Sequence, residues 1–84
     1  MGGELRPDER LERTQARRRI EELLATLDEQ HRIAVELRYM GEKSYSEIAE
    51  IMEIPIGTVK TYIFRAKAAL KRRLTMIRYR EESI

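Results

Sequence analysis

Residues 44–59 read S-Y-S-E-I-A-E-I-M-E-I-P-I-G-T-V, and no other stretch limits the fold as strongly. Ser44 and Glu47 have the S-x-x-E form of a capping box, in which the hydroxyl accepts from the backbone of Glu47 and the carboxylate reaches back to Ser44. A helix therefore opens at Tyr45, with Tyr45, Ile48, Ala49 and Met52 on one face. It must stop after about eight residues, because Pro55 disfavours helical geometry at Ile54. Proline is tolerated at a helix start, so a second helix opens at Pro55 or Ile56. Two helices joined by about three residues, with the small Ala49 letting the second cross closely and a turn residue, Ile54, plugging the core, make the pattern of a helix-turn-helix. Many such turns hold glycine where this chain has Glu53; a left-handed glutamate there costs on the order of 1 kcal/mol.

The remaining segments also read as helices. Charged residues make up 38% of the chain, good helix formers dominate, and period-2 alternation is nearly absent. The first helix starts near Pro7, with Asp8 and Glu9 at its positive end. Ile20, Leu23, Leu24 and Leu27 form its buried stripe, and Glu21 and Glu22 lie one turn on from Arg17 and Arg18. Asp28 caps a second helix over Glu29 to Met40, with Ile33, Leu37 and Met40 inward and Gly41 ending it. The fourth helix spans Ile56 to about Leu74, with Val59, Ile63, Ala66, Leu70 and Leu74 inward, and fraying is expected beyond about Arg78. The fold class is all-α: a small bundle of four helices with a C-terminal helix-turn-helix.

Composition excludes several functions. With 84 residues the core must be small, and with no cysteine there is no disulfide or thiolate metal site. No apolar run is long enough for a membrane span, and no secretory signal is visible, so the chain reads as cytoplasmic with no membrane partner. His31 is the single histidine and reads as a solvated surface residue; no nucleophile accompanies it and no Gly-rich phosphate loop occurs. The expectation is a protein that is not an enzyme, with no catalytic residue, no cofactor and no metal.

Charge is distributed unevenly. Residues 1–55 hold 9 Lys+Arg against 13 Asp+Glu, and residues 56–84 hold 8 against 2. A basic C-terminal third is the electrostatic footprint of a surface that meets phosphates. At about 100° per residue, the side of the fourth helix opposite Val59 carries Gly57, Thr61, Phe64, Arg65, Ala68 and Arg72, flanked by Thr58, Lys60 and Lys71. Small residues, hydroxyls, long donors and one outward aromatic suit base edges and phosphates in a DNA major groove. The first turn, around Gly57 and Thr58, also offers backbone N–H groups to a phosphate.

The segment Y-S-E-I-A-E-I-M-E-I-P-I-G-T-V-K-T-Y-I-F-R-A-K-A-A-L-K-R-R-L resembles region 4.2 of sigma factors of the sigma-70 superfamily, most of all the extracytoplasmic-function (ECF) group. Upstream, L-D-E-Q-H-R-I-A-V-E-L-R-Y-M-G-E-K resembles region 4.1 and its join. The resemblance implies a winged-helix-like sigma region 4 domain that recognises the −35 promoter element and docks on the β flap of RNA polymerase. Carried over by position, the recognition residues are Pro55, Gly57, Thr58, Lys60, Thr61, Phe64 and Arg65, with backbone contacts from Arg38, Ser44 and Tyr45. Tyr62 stands where the family often has arginine. The implied organisation is a polar helix or linker over residues 1–19, the DNA-binding domain over 20–74 and a tail over 75–84. Nothing in the chain resembles the sigma segment that melts promoter DNA, so initiation would need a further region or partner. Alone, the domain is expected to bind DNA weakly and with strong salt dependence.

Two other readings stand beside this one. A LuxR-type helix-turn-helix shares the E-I-A…T-V-K skeleton but not the I-P-x-G entry or the F-R-A-K-A-A-L exit. A sigma-like interaction module that binds an anti-sigma factor would be expected to lose the cations of the last helix, yet Lys60, Arg65, Lys67, Lys71 and Arg72 are all present. An anti-sigma factor is compatible with DNA binding, since it could cover the same basic surface.

Overall fold

Local signals set the ends of four helices in a computed structural model that describes residues 6–82. They are α1 (Pro7–Ala25), α2 (Glu29–Tyr39), α3 (Tyr45–Met52) and α4 (Ile56–Glu82). Pro7 opens α1, and the Glu9 carboxylate accepts the Arg6 backbone N–H at 3.2 Å. Asp28 caps α2 by accepting from the Gln30 N–H at 3.1 Å. Arg17 and Glu21 approach to 3.9 Å, but both side chains are exposed, so the pair adds little stability. No strand occurs among the described residues, so the likeness to a winged helix is confined to the helices.

The end of α2 differs from expectation. Gly41 does not take the left-handed conformation; Glu42 does, with φ 52°. Gly41 matters for space instead. A Cβ there would lie 2.9 Å from the Leu37 carbonyl oxygen, which is backbone and cannot swing away.

Leu24, Ala34, Val35, Ile48, Val59, Ile63 and Ala66 are buried together, so every helix contributes and α4 contributes most. Leu27, Leu37, Tyr45, Ala49, Met52, Ile54, Tyr62 and Leu70 pack around them. The molecule is a plate of 43 × 43 × 16 Å, in which α2 and α3 lie against the N-terminal half of α4.

That arrangement corrects several expected core positions. Ile20 is 50% exposed and Leu74 53% exposed, because both lie beyond the helix crossing on their long helices. Met40 is exposed too, while Ala34 and Val35 are buried on α2 and Ile33 is only half-buried. An inward face serving both α3 and α4 is rotated from the one that Ile33, Leu37 and Met40 alone suggest. Beyond Leu70 the neighbours of α4 thin out to the end of α1, in a groove lined by Leu23, Thr26, Met76 and Ile77, and the start of α2, where Asp28 and His31 face Arg72 and Arg73. The helix nonetheless continues unbroken to Glu82, past the expected end near Leu74 and the expected fraying at Arg78. The expected boundaries at 19/20 and 74/75 fall inside α1 and α4.

Candidate nucleic-acid interface

The turn between α3 and α4 aims everything that follows. Ser44 Oγ accepts the Glu47 N–H at 3.1 Å, and the Glu47 carboxylate accepts the Ser44 N–H at 2.9 Å. These contacts start α3 and hold the Glu47 carboxyl below the ordinary glutamate range, the Ser44 backbone bond being the larger cause and its side chain the next. At the other end, Glu53 is left-handed, with φ 56° and ψ 46°. The Ile54 N–H then reaches the Ala49 carbonyl at 3.1 Å and the Glu53 N–H that of Glu50 at 3.3 Å. This is a Schellman closure with Ile54 returned to the core beside Ala49. The Pro55 carbonyl next accepts from Thr58 at 3.0 Å and Val59 at 3.2 Å, so α4 begins one step later.

Val59, Ile63 and Ala66 face inward, which turns the opposite side of α4 to solvent. Gly57, Lys60, Thr61, Phe64, Arg65, Ala68, Lys71 and Arg72 are all exposed, and so is Pro55 just before the helix; Thr58 is half-buried. Phe64 is 72% exposed, a large apolar cost for a side chain with no role in the core. A side chain at Gly57 would meet nothing within 4 Å. Nothing in the chain's own packing requires glycine there, so the benefit is a bare surface open to close approach. The Thr61 hydroxyl donates to the Gly57 carbonyl at 3.1 Å. Tyr62 turns away from this face, half-buried against His31, so it does not replace the arginine common in the family as a surface donor. His31 itself is half-buried rather than solvated.

No Asp or Glu occurs between residues 54 and 80, a segment with 8 Lys+Arg. Ion pairs join Arg17 to Glu21 within α1 and Arg32 to Glu36 within α2, whereas Lys60, Arg65, Lys71 and Arg72 have no carboxylate within 4.0 Å among the described residues. Their positive field is not neutralised from within.

The second group sits where α2, α3 and α4 meet. The Arg38 guanidinium lies over the Tyr45 ring, 5.3 Å from its centroid, and donates to the Lys43 carbonyl at 3.2 Å. Ser44 stands between them in sequence, with its amide and hydroxyl both engaged by Glu47. Beside this group is a pair that the sequence did not reveal: the Lys67 ammonium lies 5.1 Å from the centroid of the exposed Tyr39 ring. Periodicity assigns Lys67 to the flank of α4, but no rule of spacing joins residues so far apart in the chain.

The comparisons with known proteins agree with this geometry. The family model described as sigma-70, region 4 matches residues 17–70. This chain belongs to the sigma-70 region 4 family. Among its relatives, the ECF RNA polymerase sigma factor SigW of Bacillus subtilis (strain 168) is 42% identical over 55 residues, covering 66% of this chain and 29% of that protein. The ECF RNA polymerase sigma-E factor of Escherichia coli (strain K12) is 47% identical over 47 residues, 56% of this chain and 25% of that protein. The sigma-E factor of Salmonella typhimurium (strain LT2) matches to the same extent. The chain thus spans under a third of the length of these relatives, and within the family it falls with the ECF group. Among the described residues, no cluster of side chains suits a metal ion, and no helix is long and apolar enough to cross a membrane.

Proposed function

We propose that this chain is the promoter-reading domain of an ECF sigma factor, placing α4 in the major groove of the −35 element and docking on the β flap of RNA polymerase in the cytoplasm. The observation that carries the reading is the outer face of α4, where Gly57, Thr61, Phe64 and Arg65 stand clear of the chain's own packing. In this role Arg65 and Lys60 donate to guanine or phosphate, Thr61 meets a base edge, and Phe64 lies against a thymine methyl. Pro55, Gly57 and Thr58 bring the start of α4 to the backbone, with Ala68 permitting close approach. Lys71 and Arg72 neutralise phosphates further along, and Arg38, Ser44 and Tyr45 steady the duplex from the side. Residues 20–74 hold all of these groups, flanked by the polar start of α1 and the tail of α4.

Flap docking has a separate surface available. A groove of about 880 Å³ between α1 and α2 is lined by apolar Ala16, Ile20, Leu24 and Met40 among charged neighbours. No residue of α3 or α4 lines it, so DNA on α4 leaves it open. An anti-sigma factor, acting as a competitor, would cover the cationic face of α4. The test is selection of random duplex DNA by this chain at low salt, alone and with the isolated flap. Enrichment of one short motif supports the reading, and an unenriched pool overturns it.

A further inference from the structure

We infer that the uncovered end of α4 is a docking surface for an acidic amphipathic helix of another protein, seated on Leu70, Leu74 and Ile77. The surface goes beyond the reading of DNA, and only its compatibility with a bound duplex rests on that reading.

Three observations carry it. First, the inward stripe of α4 outlasts its cover. With Val59 as zero and about 100° per residue, Leu70, Leu74 and Ile77 fall within about 60° of it, on the side of buried Ile63 and Ala66. Yet Leu74 is 53% exposed and Ile77 44%. The three floor a groove of about 640 Å³ lined by α4 alone, so no other helix of the chain walls it. Apolar residues spaced by four and then three make a seam that a partner helix fills with its own apolar side chains.

Second, the rim of that groove is cationic. Lys67, Lys71 and Arg78 line it beside the apolar floor, and no acidic residue does. None of the three has a carboxylate within 4.0 Å among the described residues. An apolar seam edged by one sign of charge selects a partner whose flanking positions carry the other sign. The same rim disfavours a second copy of this chain, because two such seams would set like charges against each other.

Third, the groove is turned away from the reading face. Leu70 and Ile77 lie about 160–180° around α4 from Thr61, and Leu74 is about 20 Å further along the axis. A helix seated there leaves Thr61, and a duplex against it, uncovered.

The probe is a fluorescent synthetic peptide of three heptads, with leucine at the two seam positions of each and glutamate at the flanking ones. It is titrated with the full chain and read by anisotropy. Binding is expected, and a peptide with lysine in place of glutamate should bind at least ~10-fold more weakly. Leu74→Gln should weaken the acidic peptide roughly 5- to 20-fold. Arg78→Gln should weaken it roughly 2- to 5-fold and reduce its dependence on salt. Neither variant should alter binding of the selected duplex, and saturating duplex should leave the peptide bound. Circular dichroism melting establishes that both variants are folded, which the exposure of Leu74 and Arg78 favours. Failure of the acidic peptide to bind, unchanged affinity for Leu74→Gln, or equal affinity for the lysine peptide overturns the surface. Dimerisation of the free chain in sedimentation equilibrium, abolished by Leu74→Gln, overturns it in favour of a second copy. Displacement of the peptide by duplex overturns its placement away from DNA. If the chain binds no duplex while Leu74-dependent peptide binding persists, the DNA-binding reading falls and the docking surface stands.

Discussion

His31 of α2 packs its ring against Tyr62 of α4, with centroids 5.0 Å apart and planes tilted by 49°. This contact helps to set the roll of α4. With Tyr62 drawn toward α2, neighbouring Thr61 and Arg65 turn outward, and Phe64 stands on the far side from the pair. Such tilted aromatic contacts are worth about 0.5–1.5 kcal/mol beyond the area they bury. His31→Ala should therefore lower the stability of the domain by about 1 kcal/mol in urea unfolding. An unchanged midpoint would show that the apolar stripe alone holds the helix in register.

Glu53 occupies the left-handed position that ends α3. A non-glycine residue there costs roughly 1–2 kcal/mol, and glycine gives back part of that through its greater freedom when unfolded. Glu53→Gly should stabilise the domain by about 0.5–1 kcal/mol. Destabilisation would mean that the glutamate side chain contributes a contact that outweighs the strain.

The capping box makes a pH prediction with a definite sign. Because the Ser44 bonds depress the Glu47 carboxyl in the folded state, its contribution to stability is fully present above the unfolded-state value, near 4.5, and is lost as pH falls through the lower folded value. A carboxyl titration followed by NMR should place the Glu47 midpoint below the ordinary glutamate range. A midpoint at the ordinary value would mean that the box is open in solution.

Arg65 and Lys71 are both exposed cations of α4, yet they should behave differently toward DNA. Arg65→Ala should cost about 1–3 kcal/mol on the selected duplex and relax the preference at one base. Lys71→Gln should weaken all duplexes alike and flatten the salt slope by about one. Competition binding with single-base variants of the motif separates the two outcomes, and an unchanged base preference for Arg65→Ala would remove its reading role.

Ile20 lies in the groove between α1 and α2, away from the helix crossing. Ile20→Glu should abolish capture of the isolated flap while leaving DNA binding and melting temperature unchanged, because the residue is exposed in the free domain. Retention of flap binding would place that contact elsewhere.

Much of this molecule is legible in residues 44–67, because short-range chemistry acts there without help from distant parts. Ser44 and Glu47 start a helix by themselves, Pro55 stops it, and the spacing of Val59, Ile63 and Ala66 names the inward side of α4 before any neighbour is known. The outward set at Gly57, Thr61, Phe64 and Arg65 follows from that one assignment. Sequence alone thus determined the helix starts, the helix-turn-helix and the outward face of α4. Tertiary structure decided what periodicity cannot express. A stripe is buried only where another helix lies over it, so Leu24 is covered while Ile20 is not, and Ala66 is covered while Leu74 is not. The pairing of His31 with Tyr62, Arg38 with Tyr45 and Lys67 with Tyr39 likewise depends on how four helices cross, a matter of three-dimensional closure that the spacing of residues along one helix does not contain.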